Sequence, residues 1–309
     1  MSFIAVMCKK DDTTLPVVKT YTPLYIASTK ATIGITVESD GGSGIVCGVY
    51  LGISENPETT GTQLQMGSDT GVYRGQVTGL LPDTPYYVKA YAINAKGEGL
   101  GEEVSFTTPA TIQDFDNTVY ETVKIGTQVW MAKNLKTTHY LNGELIGTTT
   151  PSTLDITSEN SPAYQWSYSG DDANTTIYGK LYTWYAITDT RNACPAGWHV
   201  PTDTEWTTLE NTLGGYSVAG SRMKEYGNSH WLAPYNLDAS NESIFSALPG
   251  GYRDGNGVFS LIQNNAYFWS SSESEATKSW ARTLDAGNPA VGRTGLNKNS
   301  GASVRCIKD

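Results

Sequence analysis

The sequence predicts two domains of different class: an all-β immunoglobulin-like sandwich over residues 17–109, then an α+β domain with long loops over 110–309. Three observations predict it. Short apolar runs of period two recur through the first hundred residues, punctuated by Gly, Asn and Pro turn signals. All eight tryptophans lie at or after Trp130, so composition changes across the polar, Pro-containing stretch Thr107-Thr-Pro-Ala-Thr-Ile-Gln-Asp114. Beyond that stretch a helix-start signature and helical spacings appear among short strand-like runs. A chain of 309 residues suits about two domains.

In the first domain, Ala31-Thr-Ile-Gly-Ile-Thr-Val37 alternates and places Ile33, Ile35 and Val37 on one face. Ile45-Val-Cys-Gly-Val-Tyr-Leu51 reads as a second strand. Tyr86-Tyr-Val-Lys-Ala-Tyr-Ala-Ile93 reads as a third, with Tyr86, Val88, Ala90 and Ala92 to one side. Asp40-Gly-Gly-Ser-Gly44, Asn56-Pro57 and Asn94-Ala-Lys-Gly97 are the turns between them. About seven short strands in some ninety residues describe a sandwich. Cys47 reads as a buried free thiol.

The second domain opens with a hairpin, Thr118–Lys124 and Thr127–Met131 around Ile125-Gly126. Residues 147–176, rich in Thr, Ser, Asn and Asp, lack periodicity and read as a long surface excursion. Leu181, Trp184, Tyr185 and Thr188 follow at helical spacing. In Cys194-Pro-Ala-Gly-Trp-His-Val-Pro-Thr-Asp-Thr-Glu-Trp206, Thr202 and Glu205 form a capping box. Trp206, Leu209 and Leu213 line the helix it starts, and Gly214-Gly215 ends it. A second helix is expected over Val218–Glu225. The remainder reads as turns and short strands at 247–253, 266–271, 278–284 and 302–307.

Composition excludes several functions. With 21 Lys plus Arg against 31 Asp plus Glu, the net charge of −10 disfavours binding to a phosphate backbone, so no nucleic-acid partner is expected. The four cysteines form no CxxC, and His139, His199 and His230 have no HExxH spacing, so no metal site of His and Cys is expected. No segment approaches the roughly 20 apolar residues of a membrane span. Ser270-Ser-Ser272 lacks the surroundings of a nucleophilic serine.

The start of the chain, Ser2-Phe-Ile-Ala-Val-Met-Cys8-Lys-Lys-Asp-Asp12, is a short apolar run that ends in Cys and turns abruptly polar. It resembles the end of a bacterial lipoprotein signal peptide, with Cys8 as the lipidated residue and 1–16 as anchor and linker. The membrane would be met through that lipid alone, and the location would be the outer membrane, facing outward.

Two family resemblances follow from longer patterns. Leu80-Leu-Pro-Asp-Thr-Pro-Tyr86 with Val88 and Ala90, the turn Asn94-Ala-Lys-Gly-Glu-Gly99, and Cys47-Gly-Val-Tyr-Leu-Gly-Ile-Ser-Glu-Asn-Pro57 resemble a bacterial fibronectin type III domain, with Tyr86 in its tyrosine-corner position. Val123-Lys-Ile-Gly-Thr-Gln-Val-Trp-Met-Ala-Lys-Asn-Leu135, Tyr178-Gly-Lys-Leu-Tyr-Thr-Trp-Tyr-Ala186, the 194–206 motif, Phe245-Ser-Ala-Leu-Pro-Gly-Gly-Tyr-Arg253, Phe268-Trp-Ser-Ser271 and Ser303-Val-Arg-Cys306 resemble the Fibrobacter succinogenes major paralogous domain over about 114–309. That resemblance implies a C-type-lectin-like fold shared with formylglycine-generating enzymes, on a surface lipoprotein of Bacteroidetes type. It implies no defined chemistry.

Cys194 and Cys306 are expected to form a disulfide between the helix start and the terminal strand, as suits an exported chain. The alternative is an oxidative active site like that of the formylglycine-generating enzymes, which needs closely placed cysteines near the C-terminus, where only Cys306 falls. Asp171, Asp172, Glu273 and Glu275 read as solvated loop charges rather than calcium ligands, since the EPN and WND tripeptides of calcium-dependent lectins are missing. No cofactor is expected. Tyr252, Arg253, Asp254, Asn256, Asn264, Asn265, Tyr267 and Glu273 combine rings with amides and carboxylates near Trp269. That mixture suits a glycan or polar protein surface, and these eight residues are the expected ligand site on long surface loops. The expected function is non-catalytic binding or adhesion by a monomer, with no catalytic residues. A polysaccharide-processing enzyme or accessory and a pilus-assembly subunit are the alternatives.

Overall fold

The computed structural model describes residues 13–233, 236 and 238–309. Cys8, the expected lipidation site, lies outside them. The chain divides into two compact units. The first takes residues up to Leu24 with Ala31–Gly79 and Thr84–Thr108; the second takes Tyr25–Lys30, Leu80–Asp83 and Pro109–Asp309. Two short segments inside the expected first domain therefore belong to the second unit.

The first unit is all strand apart from one helical turn. Its strands are β1 (Val17–Ala27), β2 (Lys30–Ser39), β3 (Val46–Gly52), β4 (Thr62–Gly67), β5 (Gly71–Thr78), β6 (Pro85–Asn94) and β7 (Gly97–Thr107). They form two layers, one ordered β1-β2-β5 and the other β4-β3-β6-β7. The alternation explains the packing. Ile33, Ile35 and Val37 of β2 are buried, as are Cys47, Val49 and Leu51 of β3 and Tyr86, Val88, Ala90 and Ala92 of β6. Such alternation buries one face of each strand against the opposite layer. Tyr86 stacks on Phe106 at 5.6 Å. Cys47 is a buried free thiol, and burial pushes its pKa up. Asn56-Pro57 opens the short helix α1 (Pro57–Thr60) rather than a simple turn, with proline at its first position.

Strands also predominate in the second unit. It contains β8 (Ile112–Gln113), β9 (Val119–Tyr120), β10 (Thr122–Ile125), β11 (Gln128–Met131), β12 (Gln165–Trp166), β13 (Leu181–Tyr182), β14 (Trp198–His199), β15 (Gly250–Arg253), β16 (Phe259–Ile262), β17 (Asn265–Glu275), β18 (Lys278–Asp285), β19 (Val291–Asn297) and β20 (Ile307–Lys308). Its helices are short: α2 (Asp172–Tyr178), α3 (Trp184–Ile187), α4 (Asp203–Thr212) and α5 (Tyr216–Met223). The hairpin β10–β11 extends through β20 to β14 on one side and to Tyr25–Ala27 on the other. A second sheet runs β16-β15-β17-β18-β19.

Helix α4 starts on the expected capping box. Thr202 Oγ1 accepts from the Glu205 amide at 3.2 Å, and Glu205 Oε2 accepts from the Thr202 amide at 2.7 Å. Trp206, Leu209 and Leu213 are fully buried beneath it. Trp206 meets Trp130 at 4.8 Å and Phe268 at 5.7 Å, and its indole N–H donates to the Trp269 carbonyl at 3.1 Å. A second apolar cluster surrounds the Cys194–Cys306 disulfide, whose Cα atoms are 6.0 Å apart and which closes 112 residues of chain.

Two sequence expectations fail in this unit. The helical spacing at 181–188 is split: Leu181 and Tyr182 form β13, and the helix starts only at Trp184, where the Thr183 side chain caps it at the Ala186 amide, and lasts one turn. The short strand expected at 266–271 is present but runs on through Asn265–Glu275 as a central strand, which leaves no long surface loop there for the expected ligand residues. Ala266, Phe268, Trp269 and Ser270 are buried there, and the polar residues after Ser270 hid how far the strand continues.

Candidate functional site

The eight residues expected to bind ligand do not converge. Tyr252 and Tyr267, on neighbouring strands, meet at 4.8 Å with their rings tilted by 42°. Asn265 donates to Asp285 at 3.1 Å. Asp254 and Asn256 form the tight β15–β16 turn, where Asp254 Oδ1 accepts from the Val258 amide at 2.8 Å. The Asn264 amide closes a turn on the Leu261 carbonyl. Glu273 pairs with Lys298 at 2.7 Å, and Lys298 sits 4.3 Å above the Trp184 ring.

Arg253 points the other way. It is fully buried, and its guanidinium donates to the carbonyls of Ser152, Asp254 and Leu154 while lying 4.1 Å above the Trp166 ring. Burial pulls its pKa below the ordinary arginine value. Arg253 is thus a post that holds the 150–154 loop against the sheet. Trp269 and Trp198 are buried as expected of core residues, whereas Trp280 is half-exposed beneath Arg293.

The loop that Arg253 holds forms one wall of a polar cavity of about 340 Å³. Thr148, Thr149, Thr150 and Ser152 come from that loop, Gln165, Trp166 and Ser167 from β12 and its end, and Gly170, Asp172 and Lys180 from around α2. The 147–176 excursion is therefore pinned to the fold. The Gln165 amide donates to the Gly147 carbonyl at 2.8 Å, β12 pairs with β13, and the Trp166 indole donates to Thr149 Oγ1 at 2.8 Å. Ile156 is fully buried, with its amide on the Gly255 carbonyl. Gly257, at φ 92°, lies so close to Thr153 that a Cβ there would sit 2.0 Å from its carbonyl oxygen. Gly179, at φ 78°, lets the chain leave α2 where a Cβ would meet Asn134 at 2.6 Å.

Charge in the cavity is organised by one hydroxyl. Ser167 Oγ donates to Asp172 Oδ1 at 2.6 Å and accepts from Thr175 Oγ1 at 2.7 Å and from Lys180 Nζ at 3.3 Å. Burial lowers the pKa of Lys180 and Asp172 opposes that shift. Asp171 caps α2 through the Ala173 amide. Gln165 is 7% exposed, and its amide oxygen has no hydrogen-bond partner among the described residues. A buried acceptor of that kind costs about 1–3 kcal/mol unless something donates to it. That oxygen is itself closed off from solvent, so the wall offers an acceptor at Asp172, an ammonium donor at Lys180, and hydroxyls that do either.

Sequence reasoning noticed the polarity of 147–176 but not the cavity. The available signal was Gln165-Trp166, an amide beside an indole inside a tract otherwise of small polar residues. Among the described residues no group of three or more His, Cys, Asp or Glu is placed to hold a metal ion. No helix there is long and apolar enough to cross a membrane.

Together these features define a two-unit, strand-dominated chain: a β-sandwich unit, and a disulfide-closed unit with a polar cavity on its surface. The chain belongs to the Fibrobacter succinogenes major domain family, whose pattern matches residues 123–308. Among solved structures it is similar to the sensor domain of the anti-sigma factor RsgI4 in Pseudobacteroides cellulosolvens, at 20% identity and a TM-score of 0.26, over 31% of this chain and 97% of that one. It is also similar to the fibronectin type III domain of human fibronectin type III domain containing protein 3, at 17% identity and a TM-score of 0.22, over 31% and 89%. A third similarity is to domains A168–A170 of titin, at 21% identity and a TM-score of 0.20, over 31% and 32%. No curated protein matches the chain significantly.

Proposed function

We propose that this chain is a surface-displayed outer-membrane lipoprotein, lipidated at Cys8, that binds a glycan or a host surface protein without catalysing a reaction. The fibronectin type III-like first domain serves as a spacer, and the second, of C-type-lectin-like type, carries the binding site. One observation supports the reading above the others: the cavity wall combines hydroxyl, amide, ammonium and a single carboxylate, Asp172. Glycoside hydrolysis generally uses two carboxylates about 5–10 Å apart across the scissile bond. A mixed set of donors and acceptors around one carboxylate suits recognition of hydroxyl groups instead. The test is retention of the full chain on a glycan array and on immobilised mucin. Specific, saturable retention is expected; failure to bind either at high protein concentration refutes the glycan reading.

A further inference from the structure

We propose that the cavity lined by residues of 148–152 and 165–167 with Asp172 and Lys180 takes a zwitterionic sugar unit, one that presents an ammonium and a carboxylate on neighbouring positions. This rests on the binding reading above and names its site and ligand class.

Three features carry it. First, the walls are braced. Arg253 holds the loop from behind through the Ser152 and Leu154 carbonyls, Trp166 is held between Arg253 and Thr149, and β12 is fixed to β13. Groups on braced walls keep their positions when a ligand arrives, which lowers the ordering cost of binding.

Second, the cavity holds two opposite charges that do not meet. Ser167 Oγ stands between them, donating to Asp172 Oδ1 at 2.6 Å and accepting from Lys180 Nζ at 3.3 Å. Two bonds to one oxygen keep Nζ within about 6 Å of Oδ1, yet among the described residues Lys180 forms a salt bridge with no carboxylate. Ser167 is also the one described group that Nζ donates to, and no described residue donates to Asp172 Oδ2. An ammonium has three N–H groups and a carboxylate two accepting oxygens, so both charges can still bond a ligand.

Third, the paired charges select among ligands. A lone anion is drawn to Lys180 and repelled by Asp172 from a similar distance, and a lone cation meets the reverse. A neutral sugar engages neither charge by charge. A ligand with both groups side by side sets its carboxylate on Lys180 and its ammonium on Asp172, so each attraction comes without an equal repulsion. With charge-assisted bonds of about 2.8 Å at either end, such a pair spans the gap between Nζ and the Asp172 carboxylate. The volume of about 340 Å³ lies at the small end of ligand pockets, about 300–1,000 Å³, and suits one ring with its substituents. Thr148, Thr150 and Ser152 border it with hydroxyls that can meet those of a ring.

The experiment is saturation-transfer NMR titration of the full chain at about pH 6.5, where sugar amines carry their proton. Four matched probes are used. Muramic acid carries an amine and a lactyl carboxylate on neighbouring ring positions; N-acetylmuramic acid keeps only the anion, glucosamine only the cation, and glucose neither. Muramic acid is expected to bind at least about tenfold more tightly than each of the others. Lys180→Met and Asp172→Asn separate the two charges. Asp172 is exposed and Lys180 half-exposed, so neither change reaches the core, and thermal melts show that each variant is folded. Lys180→Met should lose the preference for muramic acid over glucosamine, and Asp172→Asn the preference over N-acetylmuramic acid. Equal binding of the four probes, preference for a singly charged or neutral one, unchanged preferences in the folded variants, or no binding by any probe overturns the proposal. The glycan array and mucin read the wider function separately. Retention there alongside any of these results overturns this site and leaves the adhesion reading standing. The expected probe ranking without such retention upholds the site and refutes adhesion.

Discussion

Arg305 is the side chain on which the second unit depends most visibly. It is fully buried with no carboxylate partner among the described residues, and burial alone pulls its guanidinium down to about 9, still a cation at neutral pH. Four of its five N–H donors are employed: Nε on Asn134 Oδ1 at 2.6 Å, Nη1 on the Met131 and Phe245 carbonyls at 3.1 and 2.6 Å, and Nη2 on the Ser246 carbonyl at 3.0 Å. The cation lies 4.6 Å from the Phe245 ring. It therefore ties β11, the 245–246 turn and the chain beside Cys306 together. Arg305→Met keeps length and apolar contact but strands three main-chain carbonyls and one amide oxygen. At about 1–3 kcal/mol for each buried unpaired acceptor, partly offset because a buried charge is also removed, the expected net loss is about 3–5 kcal/mol. In a domain of this size that lowers Tm by roughly 6–20 °C. Arg305→Lys should recover part of the loss, since an ammonium reaches fewer acceptors than the planar fork. Urea unfolding followed by tryptophan fluorescence measures both. An Arg305→Met stability within about 1 kcal/mol of the parent would show that this network is not holding the fold and would refute the reasoning.

Replacing both Cys194 and Cys306 by Ala should cost about 4–5 kcal/mol, the chain-entropy value for a loop of 112 residues, and lower Tm by roughly 10–20 °C in calorimetry. A shift below about 3 °C would count against it. Thr202→Ala should cost about 1 kcal/mol through loss of the α4 cap, read from the urea midpoint at constant slope. His199 gives a pH signature. Burial pulls its imidazole down, but hydrogen bonds to Asp309 and Glu205 outweigh this and leave its pKa above 6.5. A raised folded-state pKa means that the folded chain holds the proton more tightly. The stability advantage over His199→Gln is then fully present below the ordinary value and fades as pH rises through the raised one. Melts of both proteins from about pH 5 to about pH 9 should converge at the alkaline end; divergence there would contradict the assignment.

The fold was legible where local rules and global packing agree. In β2, β3 and β6 the period of two coincides with burial, so Ile33, Val49 and Ala90 could be placed from sequence. The α4 start was legible because a capping box is a contact between neighbours in sequence. The site was not legible because its logic is long-range. Arg253 braces Ser152 across 101 positions, and nothing near either residue announces the other. Arg253 looked like a surface binder because arginine so often is one, and only its burial beside Trp166 reveals the structural use. Residues 272–275 misled for a related reason: serines and glutamates at the far end of a strand give the composition of a loop, so the strand expected at 266–271 stops too soon.

The disulfide also makes part of the chain a covalent ring. A protease that cuts once anywhere between Cys194 and Cys306 leaves both fragments attached, so the nicked protein migrates as one species until it is reduced. The cavity segments at 148–180 precede the ring. A cut at 181–193 would therefore separate them from it along the backbone, with only packing and hydrogen bonds left to hold them. Damage to the helix and sheet region would therefore be survivable, and the backbone liability would be the short stretch that joins the cavity to the ring, where only Thr190 is exposed.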